Sequence, residues 1–301
     1  MSEFNSEPID IIVPWVNPND PNWLNDFKYW KEKESGQKDA CRFRDMGVFN
    51  YWFRCIEQNM PWVRYVFLVL ATPTQIPSWL NVNQPKLKIV YHNQFIPAEE
   101  LPTFNSSVIN CYMPFIDELS DNYILFNDDF FVISAINEFD YFKNDKPIGR
   151  FILSSGRSSG KEPWYHNINN NCRITENYLK AKIHIMPEHG PIAFKKTLQL
   201  FVHNKLENQI KNALSNSKFR QNKNITDWIF YDIQALTNNM SKRTNNMLSF
   251  QYVNNLNFKN ISKLVCFNDN ETLNEKRFND FKNKVKTYLQ SKFSTKSSFE
   301  I

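Results

Sequence analysis

The positions of apolar and polar residues predict strands that alternate with helices over the first half of the chain. Each predicted strand is a short apolar run followed by polar or turn-forming residues. These runs lie at residues 9–13, 65–70, 88–91 and 123–126. Strands that alternate with helices are typical of a mostly parallel sheet covered on both faces, in which ligands bind beyond the carboxyl ends of the strands.

Helical spacing describes much of the remaining chain. Residues 48–60 carry Phe49, Trp52, Phe53 and Ile56 at the spacing of one helix face. Further helices are predicted at residues 106–119, 192–216 and 228–237. Residues 155–175, which are rich in Asn, Ser, Lys and Arg, predict a long polar insertion. The fold class is therefore α/β, with an α-rich C-terminal half. A weakly marked domain boundary is expected near residue 145.

Composition narrows the class of protein. The chain has 301 residues, 42% of them hydrophobic, which is enough for a full core. Five cysteines without a CxxC pair argue against a disulfide framework or a structural zinc site, so a reducing cytoplasm is expected. We expect neither a signal peptide nor a membrane-spanning helix, because the longest apolar stretch, residues 62–72, is about half of the ~20 residues that a span needs.

Charge and motifs exclude further classes. A net charge of +5 with 31 acidic residues gives no strongly basic face, so we expect no nucleic-acid partner. Residues 276–296 are basic, and they predict either contact with an anionic surface or a solvated amphipathic helix on the core. The chain has no GxxxxGK[ST], GxGxxG, HExxH or GxSxG motif, so P-loop, Rossmann-dinucleotide, zincin and α/β-hydrolase classes are not indicated.

The strongest candidate chemistry is the acidic pair Asp128 and Asp129, which follows Asn127 at the end of a predicted strand. Ionised carboxylates in apolar surroundings need a partner, and oxygen ligands suit Mg²⁺ or Mn²⁺, which commonly bridge to phosphates. The alternative is that the pair only caps a following helix or turn.

Other charged residues carry weaker signals. Asp10, inside the first strand, predicts contact with a ribose or base, or else a strand-end acid that faces solvent. Arg42 and Arg44, followed by Asp45, predict either forked contacts to phosphate oxygens or surface ion pairs.

The second half of the chain offers a base and further charges. His189, before a predicted helix, is a candidate general base, although a lone histidine is often structural and spacing does not separate it from His184. Arg220 follows later, and Asp269 stands after an apolar run, which repeats the arrangement of the first acidic pair.

Taken in order, these segments resemble the blocks of the Stealth family. It contains bacterial capsule and exopolysaccharide hexose-1-phosphate transferases and the N-acetylglucosamine-1-phosphotransferase that tags lysosomal enzymes. The resemblance covers about residues 9 to 270, and LPTFNS and FNDD are its most specific pieces. The matching segments are IDIIVPWVNPNDPNW, RFRD through FNDDFFV, HGPIAFKKTL through FRQNKNITDWIFY, and KLVCFND. The chain departs from the family pattern between Met46 and Asn50, where polar residues are usual.

The resemblance implies a Rossmann-like or GT-A-like sheet and a division of the chain. Residues 1–145 would be the nucleotide-sugar-binding half of a catalytic domain, residues 146–270 its remainder, and residues 271–301 a basic helix or tail. Asp128, Asp129, His189 and Arg220 would be catalytic, with His189 as the base. Asp128, Asp129 and Asp269 would bind Mg²⁺ or Mn²⁺. The substrate-binding residues would be Asp10, Trp15, Asn17, Arg42, Arg44, Asp45, Asn105, Ser106, Asn127 and Asp269.

The implied reaction moves a sugar-1-phosphate, with N-acetylhexosamine as the expected sugar, from a UDP-sugar to a glycan hydroxyl. A phosphodiester forms and UMP leaves, in the synthesis of a capsule or surface polysaccharide. A metal-dependent glycosyltransferase that releases UDP and a non-catalytic glycan-binding protein are the alternatives. The expected location is the cytoplasm, with a lipid-linked acceptor and a peripheral contact with the inner membrane face left open.

Overall fold

A computed structural model describes residues 7–154, 157, 159–182, 184–242, 248–252, 256–259, 261–269 and 274–301. The helices are α1 (Pro21–Lys33), α2 (Phe49–Asn59), α3 (Ser106–Tyr112), α4 (Pro163–Leu179), α5 (Lys196–Lys205), α6 (Glu207–Leu214), α7 (Trp228–Leu236) and α8 (Glu275–Lys292). The strands are β1 (Ile9–Pro14), β2 (Val66–Leu70), β3 (Leu87–Tyr91), β4 (Asn122–Leu125), β5 (Phe130–Val132), β6 (Phe142–Lys143), β7 (Lys146–Gly149), β8 (Phe151–Ser154), β9 (His184–Pro187), β10 (Ile192–Lys195), β11 (Ser241–Lys242), β12 (Leu248–Tyr252) and β13 (Leu264–Asn268).

The central sheet has the strand order β10-β4-β1-β2-β3. The four strands β4, β1, β2 and β3 run parallel, and β10 pairs antiparallel with β4 at one edge. After β3 the chain crosses back to the other side of β1 to form β4, so the strand order reverses between β1 and β4. In parallel sheets such a reversal opens a crevice beyond the carboxyl ends of the two strands. The predicted mostly parallel α/β fold is confirmed.

Helices cover both faces of this sheet. Successive residues of a strand point to opposite faces, so Ile11 lies in the core cluster that includes residues of α2 and α8, while Ile12 lies in the cluster with α3, α5 and α7. Five of the helices, α4 to α8, follow residue 146, which confirms the helical C-terminal part. None of the helices in the described part of the chain is long and apolar enough to cross a membrane.

Smaller sheets position the loops around the crevice. The strand β5, which follows β4 directly, pairs antiparallel with β13, and β13 pairs in parallel with β12. Two further sheets combine β6, β7 and β11, and β8 with β9. Because β10 and β13 pair with strands from before residue 145, the two halves of the chain interleave, and the division into three regions stays a prediction.

Two predicted helices are wrong at one end. The segment 192–216 begins as the strand β10, in which Phe194 pairs with Tyr123 of β4, and its helices start only at Lys196. The segment 106–119 is α-helical only to Tyr112 and continues as one 3-10 turn, Met113–Phe115, because Pro114 has no N–H to continue the α-helical hydrogen bonds.

The predicted polar insertion at residues 155–175 is also wrong over most of its length, because α4 occupies Pro163–Leu179. Its asparagines are not all on the surface. The buried amides of Asn167 and Asn171 donate to the backbone carbonyl of Gln221 (2.7 Å) and to the hydroxyl of Thr226 (2.8 Å). Buried, hydrogen-bonded amides therefore stabilise a helix that composition alone describes as a loop.

The C-terminal residues are part of the core. Phe299 packs on Phe53 of α2, and the carboxylate of Glu300 accepts hydrogen bonds from Nε and Nη2 of Arg54 at 2.7 and 2.6 Å. The Glu300 side chain is 4% exposed and that of Arg54 10%. Hydrogen bonds from Arg54, Ser297 and Asn50 outweigh burial and lower the pKa of Glu300 to about 2.

The substitution Glu300→Gln tests this ion pair. Removing one partner of a buried pair should lower the free energy of unfolding at pH 7 by about 3 kcal/mol. The contribution of Glu300 is present above its usual pKa of 4.5 and is lost as the pH falls towards 2, so the difference between wild type and variant should shrink over that range. Urea unfolding at several pH values measures it. Glu118→Gln, in an exposed pair with Lys88, is the control and should change little. A difference that does not depend on pH would contradict this assignment.

Candidate active site

The acidic pair Asp128 and Asp129 lies in a tight turn between β4 and β5, at the crevice where the strand order reverses. The carbonyl of Asn127 accepts from the N–H of Phe130 (3.3 Å) and closes the turn. A strand follows rather than a helix, so the pair does not cap a helix. The side chain of Asp128 is accessible to solvent although protein surrounds it. Partial desolvation by the surrounding protein atoms, together with the carboxylates of Asp129 and Asp45, raises the pKa of Asp128 to about 8.

Asp129 points into protein. Its Oδ2 accepts a hydrogen bond from the thiol of Cys266 (3.3 Å), and its Oδ1 is buried without a hydrogen-bond partner among the described residues. Burial raises the pKa of Asp129, although nearby His189 acts in the opposite direction. The backbone carbonyl of Asp129 accepts from the N–H of Phe267 on β13 (3.0 Å), so the sheet fixes the position of this residue.

His189 lies between β9 and β10, and its ring packs against Phe130 with 5.3 Å between the ring centroids. Burial lowers the pKa of His189, and the carboxylate of Asp129 partly offsets this. The imidazole is therefore a neutral base at pH 7 beside the acidic pair. Of the two histidines that the sequence left open, His189 is the one that interacts with Asp129, and the side chain of His184 lies outside the described residues.

Asp269 lies just beyond β13, and its two oxygens accept from Nε and Nη2 of Arg44, both at 2.7 Å. The guanidinium of Arg44 also lies over the ring of Phe278 (4.5 Å). Arg44 occupies the carboxylate of Asp269 in this structure, and the role of Asp269 as a metal ligand stays a prediction. Within the described ranges, no three His, Cys, Asp or Glu residues come close enough together to hold an ion. Of the two interpretations that the sequence left open for Arg44, the structure shows the ion pair, and a phosphate contact stays a prediction.

Asp10 has a structural role instead of the predicted nucleotide contact. It lies near the amino end of β1, whereas the crevice is at the carboxyl end. Its buried carboxylate accepts from Nε and Nη2 of Arg64 (2.8 and 2.5 Å) and from the N–H groups of Tyr65 and Ser120 (3.2 and 2.7 Å). These hydrogen bonds tie β1 to the starts of β2 and β4.

A second group of charged residues lies around Arg220. Its Nη2 donates to the hydroxyl of Ser106 (2.6 Å), and its guanidinium lies over the ring of Trp164 (5.4 Å). Burial and the like charge of Arg42 lower the pKa of Arg220 to about 10, although Asp227 opposes this. The Nε of Arg220 is buried and has no hydrogen-bond partner among the described residues. Arg42 itself forms an ion pair with Asp39 (3.7 Å from Nε to Oδ2). The guanidinium geometry of Arg220 matches phosphate oxygens.

Asn105 positions Ser106 and Arg220 rather than binding substrate as predicted. Its Oδ1 accepts from the N–H of Ser107 (3.0 Å) and caps α3, and its Nδ2 donates to the carbonyls of Ser217 (3.1 Å) and Phe219 (3.3 Å). The side chain is 1% exposed. One buried amide therefore holds the segment that carries Arg220 against the start of α3.

The loop after β1 forms the floor of the crevice. Trp15 stacks on Phe49 with 5.3 Å between the ring centroids and 4° between the planes. The backbone of Asn17 is held by Gln75, which accepts from its N–H (2.8 Å) and donates to its carbonyl (3.1 Å). Phe49 belongs to the stretch that departs from the family pattern, and here it packs on Trp15.

Asp45 also interacts with the acidic pair. It accepts from the N–H of Gly47 (2.9 Å), and its charge contributes to the raised pKa of Asp128. Gly47 has φ +62, a conformation that glycine adopts without strain.

Some interacting residues were not predicted from the sequence. The thiol of Cys266 and the amide of Gln75 act through contacts with residues far along the chain. Asp227 accepts from the amide of Asn110 (3.2 Å) and interacts with Arg220. The sequence did carry a signal for Asp227, because it follows Arg220 in one of the segments that resemble the family, FRQNKNITDWIFY.

The site thus defines an α/β protein with an acidic pair, a neutral histidine and an arginine pair at the crevice of a doubly wound sheet. Residues 42–148 match the family model described as Stealth protein CR2, conserved region 2. A capsular polysaccharide phosphotransferase WcwK of Streptococcus pneumoniae is 30% identical over 98% of this chain and 99% of its own length. The exopolysaccharide phosphotransferase cps2G of Lactiplantibacillus plantarum is 28% identical over 99% and 98%. The chain belongs to the Stealth family.

Similarity to solved structures is weaker. The galactosyltransferase LgtC matches with 8% identity over 91% of this chain and 95% of its own, with a TM-score of 0.40. The bifunctional glycosyltransferase WbbM matches with 9% identity over 98% of this chain and 53% of its own, with a TM-score of 0.44. Sequence identities and TM-scores this low give no information about function.

The substitution Asp128→Asn tests the electrostatics of the acidic pair. A carboxyl whose pKa is raised from 3.8 to about 8 costs stability progressively over that range, and the amide removes this cost. We expect the melting temperature of Asp128→Asn to exceed that of wild type by about 2 °C at pH 8.5. The difference should vanish by pH 4. Asp280→Asn, at an exposed position of α8, is the matched control. It should leave the melting temperature unchanged at both pH 8.5 and pH 4. A variant that is less stable than wild type at pH 8.5 would contradict the assignment.

The substitution Asn105→Ala tests how Arg220 is positioned. It leaves two buried carbonyls without their donor, so the free energy of unfolding should fall by about 3 kcal/mol. Chemical denaturation measures the loss, with Asn283→Ala on the exposed face of α8 as the control. An effect no larger than that of the control would show that the amide does not hold this segment.

Proposed function

We propose that the protein transfers a sugar-1-phosphate from a UDP-sugar to a hydroxyl of a glycan acceptor. The acceptor oxygen forms a bond to the phosphorus that carries the sugar, and the bond from this phosphorus to the bridging oxygen of UMP breaks. The products are a phosphodiester and UMP, and the hydroxyl proton passes to a base. The names of the relatives, capsular and exopolysaccharide phosphotransferases, support this class of reaction.

The observation that carries the proposal is the neutral His189 beside Asp129, at the carboxyl ends of β1 and β4. A base must be neutral to accept the proton of an attacking hydroxyl, and burial keeps His189 in that form at pH 7. Asp129 lies beside the ring and stabilises the charge that it gains. His189 therefore suits the activation of the acceptor.

Arg42 and Arg220 suit the phosphate groups of the donor. Phosphoryl transfer depends mainly on positioning and on stabilising charge at the phosphate oxygens. Arg220 has a buried Nε without a hydrogen-bond partner in the described part of the chain, and its Nη2 is oriented by Ser106. An incoming diphosphate relieves the repulsion between the two arginines.

Asp128 and Asp129 fit Mg²⁺ or Mn²⁺. The buried Oδ1 of Asp129 has no hydrogen-bond partner among the described residues, and the pKa of both carboxyls is raised, so a cation would stabilise their ionised forms. A bound ion would neutralise negative charge on the phosphates. Two protein carboxylates with substrate oxygens and water are a common ligand set for Mg²⁺.

We further propose that the donor carries N-acetylhexosamine and that the protein acts at the cytoplasmic side of the membrane. The apolar residues of α8, Phe281, Val285 and Leu289, are buried in the core, as the second of the two sequence interpretations expected. Its outer face exposes several cations, among them Lys284 and Lys286, and this face suits contact with anionic lipids near a lipid-linked acceptor.

Phosphorus NMR distinguishes this reaction from glycosyl transfer. With Mg²⁺, UDP-N-acetylglucosamine and short acceptor glycans, we expect UMP and a new phosphodiester resonance. Release of UDP would show glycosyl transfer. If no turnover occurs with a panel of UDP-sugars, while glycan binding is retained, the protein is a glycan-binding module.

The substitutions Asp128→Asn and His189→Gln test the roles of the two groups. Each should lower kcat at least about 100-fold. In wild type, kcat should fall as the pH drops through the lowered pKa of His189, because the protonated ring is no base. His189→Gln should lose this acid limb and keep a low, flat rate. An acid limb that persists in His189→Gln would exclude His189 as the base.

A further inference from the structure

The two-stranded sheet of β8 and β9 exposes two large apolar side chains that lie outside the core. Ile152 is 67% exposed and Leu153 is 57% exposed. Among the described residues, the C-terminal Ile301, at 71%, is the one large apolar residue more exposed than Ile152. Single apolar residues are common on protein surfaces, but two adjacent ones with this exposure indicate an interaction site.

The two side chains point to opposite faces of β8, because successive residues of a strand alternate. Ile152 pairs with Met186 and Leu153 with Ile185. Ile185 is buried in the core, so β9 anchors the sheet and β8 is its outer strand. Since both apolar side chains of β8 are exposed, the strand projects from the protein. A flat protein surface would cover one of its faces, whereas a medium that surrounds the strand would cover both.

Cations lie at the outer end of this sheet. The exposed Lys180 and Lys182 belong to the link between α4 and β9, at the end where β8 finishes. Residues 150–188 contain six Lys or Arg residues, three Glu and no Asp. One of these acids, Glu176, is already paired with Arg157. The outer end of the sheet is therefore both apolar and positively charged.

This surface differs from the cationic face of α8. The apolar residues Phe281, Val285 and Leu289 of α8 are buried, so its exposed face offers mainly charge. The sheet of β8 and β9 offers charge together with apolar side chains that can enter the boundary between lipid headgroups and acyl chains. Stable attachment to a membrane surface commonly needs both contributions.

We propose that β8 and the lysines beside it form the surface that docks on an anionic lipid bilayer, with Ile152 and Leu153 inserted at the level of the headgroups. The inference rests on the proposed function, in which the bilayer would carry the glycan acceptor. An anionic bilayer matches the charge of Lys180 and Lys182 and surrounds both faces of the strand. A second copy of this chain suits the surface less, because two side chains fall far short of the roughly 1,200 Å² that stable protein interfaces bury.

Docking at β8 brings the base close to the membrane. Met186, opposite Ile152, is three residues before His189, and extended chain advances about 3.3 Å per residue, so the two positions are at most about 10 Å apart. The acceptor hydroxyl must reach His189. A docked enzyme therefore suits an acceptor whose reacting sugar lies close to its lipid.

Cosedimentation with vesicles tests the docking surface. The vesicles contain phosphatidylcholine with or without phosphatidylglycerol, and the variants are Ile152→Ser/Leu153→Ser and Lys180→Gln/Lys182→Gln. We expect each double variant to bind the anionic vesicles at least about tenfold more weakly than wild type. Wild type should bind the vesicles without phosphatidylglycerol more weakly than the anionic ones, because the attraction of the lysines is lost.

The matched control is Val82→Ser/Phe201→Ser, which removes two apolar side chains of 50% and 51% exposure elsewhere on the surface. It should bind like wild type, and melting curves check that every variant is folded. Equal binding by wild type and a folded Ile152→Ser/Leu153→Ser would overturn the proposal, as would an equal loss in the control. Light scattering that shows a wild-type dimer, dissociated in Ile152→Ser/Leu153→Ser, would assign the surface to a second copy instead.

A kinetic comparison separates this inference from the proposed function. In Ile152→Ser/Leu153→Ser, transfer to a soluble short glycan should keep the wild-type rate, and transfer to the same glycan on a lipid in anionic vesicles should fall at least about tenfold. If wild type transfers to neither acceptor but binds vesicles through β8, the proposed function fails and the docking surface stands. If the variant loses both activities equally, the loss does not come from docking and the inference is overturned.

Discussion

Two carboxylates held side by side at the end of a buried strand are the constraint around which the rest of the site is arranged. Desolvation and the charges of Asp129 and Asp45 raise the pKa of Asp128, and burial raises that of Asp129, which is unfavourable for folding. The turn persists because β4 before it and β5 after it are anchored in two different sheets. Such local cost is typical of functional sites, where the surrounding structure compensates for it.

The arginines divide into two groups by their partners. Arg64, Arg44 and Arg54 each make a two-bond ion pair with an acid, and these pairs join residues 54, 225 and 246 positions apart. They are satisfied within the protein and hold distant segments together. Arg220 instead has Arg42 as a charged neighbour and a hydroxyl, that of Ser106, as its hydrogen-bond partner. Asp227 partly balances the charge of Arg220, and Asp39 pairs with Arg42, but Nε of Arg220 has no hydrogen-bond partner among the described residues, so an anion would stabilise it.

The sequence predicted those features that depend on local pattern. The strands of the central sheet are continuous apolar runs, and the acidic pair interrupts such a run, so both were visible without knowledge of the fold. Asp10 and Asp269 have the same local appearance as Asp128. What distinguishes them is an arginine partner, and Arg64 and Arg44 lie 54 and 225 positions away. Asn105 was misassigned for the same reason, because its carbonyl partners are more than 100 positions along the chain.

Errors in secondary structure have a related cause. Phe194 lies in a strand because β4 has an open edge for it to pair with, although its own sequence context is compatible with a helix. The asparagines of α4 are compatible with a loop until the segment around Gln221 and Thr226 accepts their hydrogen bonds. Tertiary contacts thus decided these elements, as they commonly do where local propensity is weak.

The edge of the sheet sets the spacing of the site as well as its position. Parallel strands end at one edge with a fixed separation, so groups that follow β3, β2, β1 and β4 form an ordered row. In this protein the row runs from His92 and Ala71, which follow β3 and β2, past Trp15, to Asp128. The aromatic cluster of Trp23, Phe104 and Phe219 keeps the arginines at the side of that row. An extended ligand therefore meets groups in a sequence that the backbone determines, and loops need only supply the side chains. This is why the residues that hold the row in place, Asn105 and Gln75 among them, matter to the site although they contact only protein.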